Sequence, residues 1–286
     1  MLPSIRMGPI RVLITGALIF CAVQSTPSIA LQAEEQKTCT LSFAPPEGTL
    51  LHYVNFTQMG RNLGGSDVTF NQTSEVDMSF AGKTEDGNCK VDLKFIKVKS
   101  SLVANNQLMD WAPPIKLEGA SVRVIVSPAA EIVSFEPGRN IPGLKDLNDL
   151  REVVDPWFVK LPDTTVSVGQ SWKQEIVEGK KEGAEPELKG EAVYTLKKIE
   201  KKGDLEIAII EGKVNLKMNA DQPGGVLVAD GKADIKARIA VSGGYVIELK
   251  RDLEIRGNTV AKDPLTDKET KNETAITIHV EIKRQP

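Results

Sequence analysis

Gly231-Lys232-Ala233-Asp234-Ile235-Lys236-Ala237-Arg238-Ile239-Ala240-Val241 decides how this 286-residue chain folds. Ala233, Ile235, Ala237, Ile239 and Val241 fall on one parity, and Lys232, Asp234, Lys236 and Arg238 on the other. A helix would scatter both sets around its axis, whereas a strand sends alternate side chains to opposite faces. The stretch is therefore predicted to be a β-strand with one buried and one wet face.

The same grammar extends in both directions. Tyr245, Ile247, Leu249, Leu253 and Ile255 alternate with polar residues, as do Ile276, Ile278, Val280 and Ile282. Upstream, Val68, Phe70, Val76, Met78 and Phe80 share one parity, and Val91, Leu93 and Phe95 do likewise before the phase slips to Ile96 and Val98; Val122, Val124 and Val126 follow. Strands with one wet face belong to antiparallel sheets, because parallel strands are covered on both sides. Phase slips at Phe95-Ile96 and around Glu211-Gly212 predict bulges that bend long strands. Glycine-rich turns at 82–87, 223–225 and 242–244 separate the runs. Only Leu144, Leu147, Leu150 and Val154 recur at helical spacing, over 143–154, and Asp155-Pro156 stops them. The expected fold class is mainly β (α+β with one short helix). Two curved antiparallel sheets, half-barrel-like, stand in tandem, with a first β half at 40–142, a helix and hinge at 143–165 and a second β half at 166–286.

The leading residues have a different character. Arg6 and Arg11 precede an apolar run from Val12 to Val23, and Ser28-Ile29-Ala30 places small residues at a cleavage site. Residues 1–30 are thus expected to be a signal peptide cleaved near Ala30, leaving an exported protein, periplasmic or extracellular. The run is short for a permanent span, so the chain is not expected to be transmembrane after cleavage. Lipid anchoring at Cys21 is disfavoured, since bulky Phe20 precedes the cysteine. Two cysteines then remain, Cys39 and Cys89, and in an oxidising compartment they are expected to form a structural disulfide. The leader takes two of the 36 basic residues and none of the 39 acidic ones. The mature surface is therefore mildly acidic, which argues against nucleic acid as a partner.

Between the halves lies Leu161-Pro162-Asp163-Thr164-Thr165-Val166-Ser167-Val168-Gly169-Gln170-Ser171-Trp172. Pro162 pushes Leu161 out of the helical region, Gly169 interrupts a new alternation, and Trp172 is expected to plug the seam; Pro162, Gly169 and Trp172 are the hinge residues. This string resembles the "LP-x-x-x-V-x-V-G-D-x-W" signature of an uncharacterised family of exported bacterial proteins, with Gln170 where the family tends to have an acid. Leu117-Glu118-Gly119-Ala120-Ser121-Val122-Arg123-Val124-Ile125-Val126-Ser127, Tyr194-Thr195-Leu196-Lys197-Lys198-Ile199 and Gly231-Lys232-Ala233-Asp234-Ile235 are similar to further strands of it. The likeness covers roughly residues 50–255. It implies a secreted β-rich body similar to the curved half-barrels of bacterial lipoprotein carriers, and it transfers no catalytic residue.

Chemistry-bearing patterns are sparse. The chain has two histidines. His279 lies on the polar parity with Thr277 and Glu281, and His52 shares parity with Val54 and Phe56, which predicts a half-buried strand residue. No G-x-S-x-G, H-E-x-x-H or C-x-x-C occurs. Asp263, Asp267 and Glu269 could hold calcium, but Lys262, Lys268 and Lys271 between and beside them make a solvated loop. Trp111, Trp157 and Trp172 are the chain's tryptophans and are expected to be core plugs near the hinge. No catalytic residue, cofactor or metal site is therefore expected, and the protein is expected not to be an enzyme. The preferred expectation is an exported binding protein of the cell envelope. A concave face bearing Ile235, Ile239, Leu249 and Leu253 would hold an apolar small molecule or lipid. The alternative is a structural protein without a pocket that docks an envelope protein partner through an edge strand. An unrecognised hydrolase ranks third. An empty apolar cavity of at least about 300 Å³ separates carriage from docking.

Overall fold

The alternation read in the sequence becomes long antiparallel strands. A computed structural model describes residues 37–63, 66–110, 115–137, 141–144, 151, 153–162, 164–178, 187–222, 225–262 and 269–286. The leader with Cys21 and Ala30, Trp111, Asp163, most of the expected helix and the loop carrying Asp263 and Asp267 lie outside the described residues. The first half contributes β1 (Thr38–Thr40), β2 (Leu50–Leu63), β3 (Ser66–Lys83), β4 (Cys89–Ala104), β5 (Gln107–Met109), β6 (Ser121–Val126) and β7 (Ile132–Pro137). The second contributes β8 (Thr165–Ser167), β9 (Ser171–Glu178), β10 (Leu188–Lys202), β11 (Leu205–Gln222), β12 (Gly225–Ala240), β13 (Val246–Lys262) and β14 (Glu269–Arg284). The predicted mainly β, antiparallel class is what is observed.

The two halves are nevertheless not separate sheets. Strands run in the order β7-β6-β4-β3-β2-β14-β13-β12-β11-β10-β9, with β5 beside β4, as one 12-stranded sheet. The junction is β2 against β14, in register from Tyr53↔Arg284 to Leu63↔Thr274. The first and last long strands of the chain thus meet in the middle of the sheet. The only other sheet among the described residues is the pair β1–β8, with Cys39 opposite Val166.

Each long strand buries one parity. On β12, Leu227, Ala229, Ala233, Ile235, Ala237 and Ile239 are buried, while Val228, Asp230, Lys232, Asp234 and Lys236 face water. The inner face wraps a central segment in which Val154, Trp157, Phe158, Val159 and Leu161 are buried. Arg151, Val153 and Val154 are helical and lead into a 3-10 turn at Asp155–Trp157. Trp157 stands edge-on to Tyr53 of β2, with ring centroids 5.6 Å apart. The Tyr53 hydroxyl donates to the Val246 carbonyl at 2.6 Å. One hydrophobic cluster therefore unites both halves, the central segment and a strap carrying Leu41 and Phe43.

Bulges supply the bend. The expected slip at Phe95-Ile96 is present: Val76 pairs with Phe95 and Glu75 with Lys97, leaving Ile96 as the extra residue. The slip expected around Glu211-Gly212 falls instead on β10, between Leu196 and Lys198, with β11 in unbroken register. The 209–210 dyad disturbed the apparent phase, yet Ala208, Ile210 and Val214 all remain on the buried side.

The expected disulfide is absent. Cys39 and Cys89 are free, buried thiols. Cys39 belongs to the β1–β8 pair, whereas Cys89 opens β4 in the main sheet and its Sγ donates to the Phe43 carbonyl at 3.4 Å. Two cysteines in one chain say nothing of which sheet each will join. Burial pushes both thiols above the usual range, with Glu206 adding to the shift at Cys39 and Lys83 opposing it at Cys89. Native protein is accordingly expected to react with an aromatic disulfide reagent at pH 8 at least ~10-fold more slowly than unfolded protein, with both thiols titrating in denaturant. Intact mass that rises by two hydrogens on reduction would reinstate the bridge.

Candidate functional site: a half-open cleft between the sheet edges

The glycine positions of the second half let bulky neighbours lie flat on the sheet where it curves over the central segment. A cross-strand row shows how. Trp172 of β9 lies opposite Tyr194 of β10, Tyr194 opposite Gly212 of β11, Gly212 opposite Ile235 of β12, and Ile235 opposite Arg251 of β13. At Gly212 a Cβ would stand 2.7 Å from the Tyr194 ring. Only a residue without a side chain lets that ring lie over β11. Tyr194 also stacks on Trp172, with centroids 5.8 Å apart at 22°.

The result is a cavity of about 430 Å³. Val214, Leu216, Ala233, Ile235 and Leu253 floor it, Ile176 and Leu188 flank it, and Phe158 and Asp155 of the central segment close one side. Both sheet edges reach it, β7 through Ile132 and β9 through Gln174 to Val177. The sheet has therefore curled until its edge strands share one cavity without pairing into a barrel. Val177, 42 % exposed, marks the side open to solvent.

Charge is placed unevenly. Lys160 pairs with Glu131 near the mouth, and the Arg151 guanidinium lies 5.7 Å from the Phe135 ring centroid. Arg251 also lines the cleft, and its Nε is buried without a hydrogen-bond partner. Burial pulls Arg251 below the ordinary arginine value, opposed by the Tyr194 phenol and the Asp155 carboxylate. Tyr194 is itself pushed up by burial, with Arg251 opposing.

The sequence-derived residues divide. Ile235, 3 % exposed, and Leu253 line the cavity. Ile239 and Leu249 have no exposure and belong to the closed core. At the hinge, Gly169 has φ +90° and donates its N–H to the Leu196 carbonyl at 2.7 Å. The Trp172 Nε1 donates to the Lys160 carbonyl at 3.2 Å, tying β9 to the segment that ends at Pro162. Trp157, expected as a plug, is among the largest fully buried side chains. His52 departs from its expected half-burial: its side chain is 54 % exposed and bonds Asp77 across strands at 2.6 Å. His279 bonds Asp252 in the same way at 2.6 Å. Neither pair lines the cleft: Asp252, between Arg251 and Leu253, points to the opposite, exposed face of β13, and His52 and Asp77 lie on β2 and β3. Among the described residues, no group of three His, Cys, Asp or Glu side chains is placed to hold a metal ion, and no helix is long and apolar enough to cross a membrane.

Arg251 is the cavity residue that the pattern reading passed over. The signal was present, since Arg251 occupies the apolar parity between Leu249 and Leu253. A cation on a buried parity marks either a structural pair or a binding site.

No protein-family model matches the chain, and no curated protein matches it by sequence. Among solved structures it is similar to that of lipovitellin, described by its lipid–protein interactions, with a TM-score of 0.51 and 12 % identity. The match covers 85 % of this chain and 25 % of that one. The chain thus corresponds to about a quarter of the larger protein, and the likeness is one of fold.

Proposed function

We propose that this chain is an exported, non-enzymatic binding protein of the cell envelope that holds a lipid or other apolar ligand in the cavity between its sheet edges. The observation that carries the reading is the cavity itself, about 430 Å³ and floored by Val214, Leu216, Ala233, Ile235 and Leu253. Its size falls within the range of small-molecule sites, roughly 300–1,000 Å³, and an aliphatic floor beside charged groups such as Glu131, Asp155, Lys160, Glu175 and Arg251 suits an amphiphile. The likeness in fold to a protein with lipid–protein interactions supports the same choice. Buried methylenes contribute about 0.8 kcal/mol each, so some ten of them would give about 8 kcal/mol before the cost of immobilising the ligand, which makes a micromolar Kd the tightest that ten methylenes alone would give.

Leu253→Trp tests the reading. Leu253 is only partly buried against the core, so an indole can enter the cavity without displacing the closed core. Excluding three or four methylenes is expected to weaken binding of methyl palmitate, an uncharged probe, by about 2–3 kcal/mol, roughly 30- to 150-fold. The midpoint of thermal unfolding should shift little. Native mass spectrometry of protein from its own host should show an adduct of lipid mass that the variant lacks. Undiminished binding by Leu253→Trp, or no binding of alkyl probes by the parent protein, rejects the cavity as the site.

A further inference from the structure

An alkyl chain needs no fixed cation to hold it, yet Arg251 lines this cleft beside the aliphatic floor. Arginine keeps its proton in proteins, and its guanidinium carries five N–H donors that need acceptors. Cross-strand neighbours supply none, because Ile235 and Val280 flank it in register. The Asp155 carboxylate is near enough to favour the charge, but the Arg251 Nε remains buried and unbonded. The other two cations lining the cavity are engaged, Lys160 with Glu131 and Arg151 over the Phe135 ring. A second polar group stands beside Arg251. The Tyr194 hydroxyl has only a long contact, 3.4 Å, to the Gln174 Oε1, and can redirect its proton to a better acceptor.

The rows beyond Arg251, leading away from Trp157, are of another kind. Ala192, Val214, Ala233 and Leu253 form the first, and Gly190, Leu216, Gly231 and Ile255 the second. Of these, Val214, Leu216, Ala233 and Leu253 line the cleft, and Gln174, which continues the first row on β9, is the polar side chain beside them.

We propose that the ligand is a single-chain anionic amphiphile, a long-chain carboxylate, bound with its head on Arg251 and Tyr194 and its chain along Val214, Leu216, Ala233 and Leu253. This deepens the reading of the cavity as a lipid site and rests on it. A carboxylate matches the guanidinium fork, and with the Asp155 and Glu175 carboxylates also lining the cleft a singly charged head is favoured over a doubly charged one. A volume of about 430 Å³ suits one chain and not the pair of a phospholipid.

The test compares palmitate, methyl palmitate and acetate on the mature protein, its Arg251→Met variant and its Arg251→Lys variant, by calorimetric titration. Palmitate is expected to bind the parent protein about 10- to 100-fold more tightly than methyl palmitate. In Arg251→Met that preference should vanish while methyl palmitate still binds, showing an intact cavity. Arg251→Lys should keep part of the preference. Acetate should bind far more weakly than palmitate; equal binding of acetate would mean a bare anion site and overturn the proposal. So would equal affinity of the parent protein for acid and ester, or a preference that survives Arg251→Met, with the lipid-site reading left standing in both cases. Failure of every alkyl probe would remove that reading, and this one with it.

Discussion

Trp157→Ala is expected to cost about 3–5 kcal/mol of stability, the range for emptying a large aromatic site in a core. Trp157 sits where the curved sheet closes on the central segment, packed edge-on to Tyr53 and 2 % exposed. Its partners come from strands far apart in sequence, and the sheet cannot collapse into the void without breaking their register. Trp157→Phe should cost only a fraction as much. The Nε1 of Trp157 is buried with no hydrogen-bond partner, so phenylalanine forfeits no bond and keeps much of the ring. Urea denaturation followed by far-UV circular dichroism would measure both. Equal losses for the two variants would mean that the indole nitrogen is bonded in solution, and an alanine effect below about 1 kcal/mol would mean that the central segment is not the keystone.

Gly244→Ala carries the other large effect, about 2–5 kcal/mol from two sources. The residue has φ +67°, which costs a side-chain-bearing residue roughly 1–2 kcal/mol. A Cβ there would also stand 2.3 Å from the Ser42 carbonyl oxygen and 2.9 Å from the Phe43 Cα. Neither atom is on a flexible side chain, so the strap of residues 42–44 must move, and overpacking of this sort costs a further ~1–3 kcal/mol. The strap is held by the bond from the Ala44 N–H to the Gly243 carbonyl, 3.0 Å, which the shift would strain. Gly203 is the internal control, with φ +61° and open space around its Cβ position. Gly203→Ala should show the conformational cost alone. Matching losses at the two positions, measured by denaturant unfolding, would show that the strap does not press on the β12–β13 turn.

Much of the architecture could be read from alternation, because strand formation with one wet face is a local property of the side chains. The 231–241 stretch predicts its own burial almost residue by residue. The bulge at Ile96 was equally legible, since an extra residue shifts the phase of everything after it. The bulge near Lys197 was not, because the disturbance in the pattern lay on β11 while the extra residue lay on its partner. The cavity was half legible. Ile235 and Leu253 carry the same signature as Ile239 and Leu249, and nothing in the chain distinguishes an aliphatic side chain that meets a plug from one that meets a void.

Composition and periodicity by themselves determined that this protein is built of antiparallel strands, greasy on one side, with few groups suited to chemistry. That is a short-range matter, set by which side chains can share a face. Tertiary structure alone decided that β2 joins β14 to make one sheet of two halves, that Cys39 and Cys89 go their separate ways, and that Arg251 comes to rest beside Tyr194 and Asp155 in a cleft with an aliphatic floor. Each of those outcomes depends on pairing between residues distant in sequence, where every wet-faced strand is a chemically acceptable neighbour of every other and only the closing of the whole curved sheet around Trp157 selects among them.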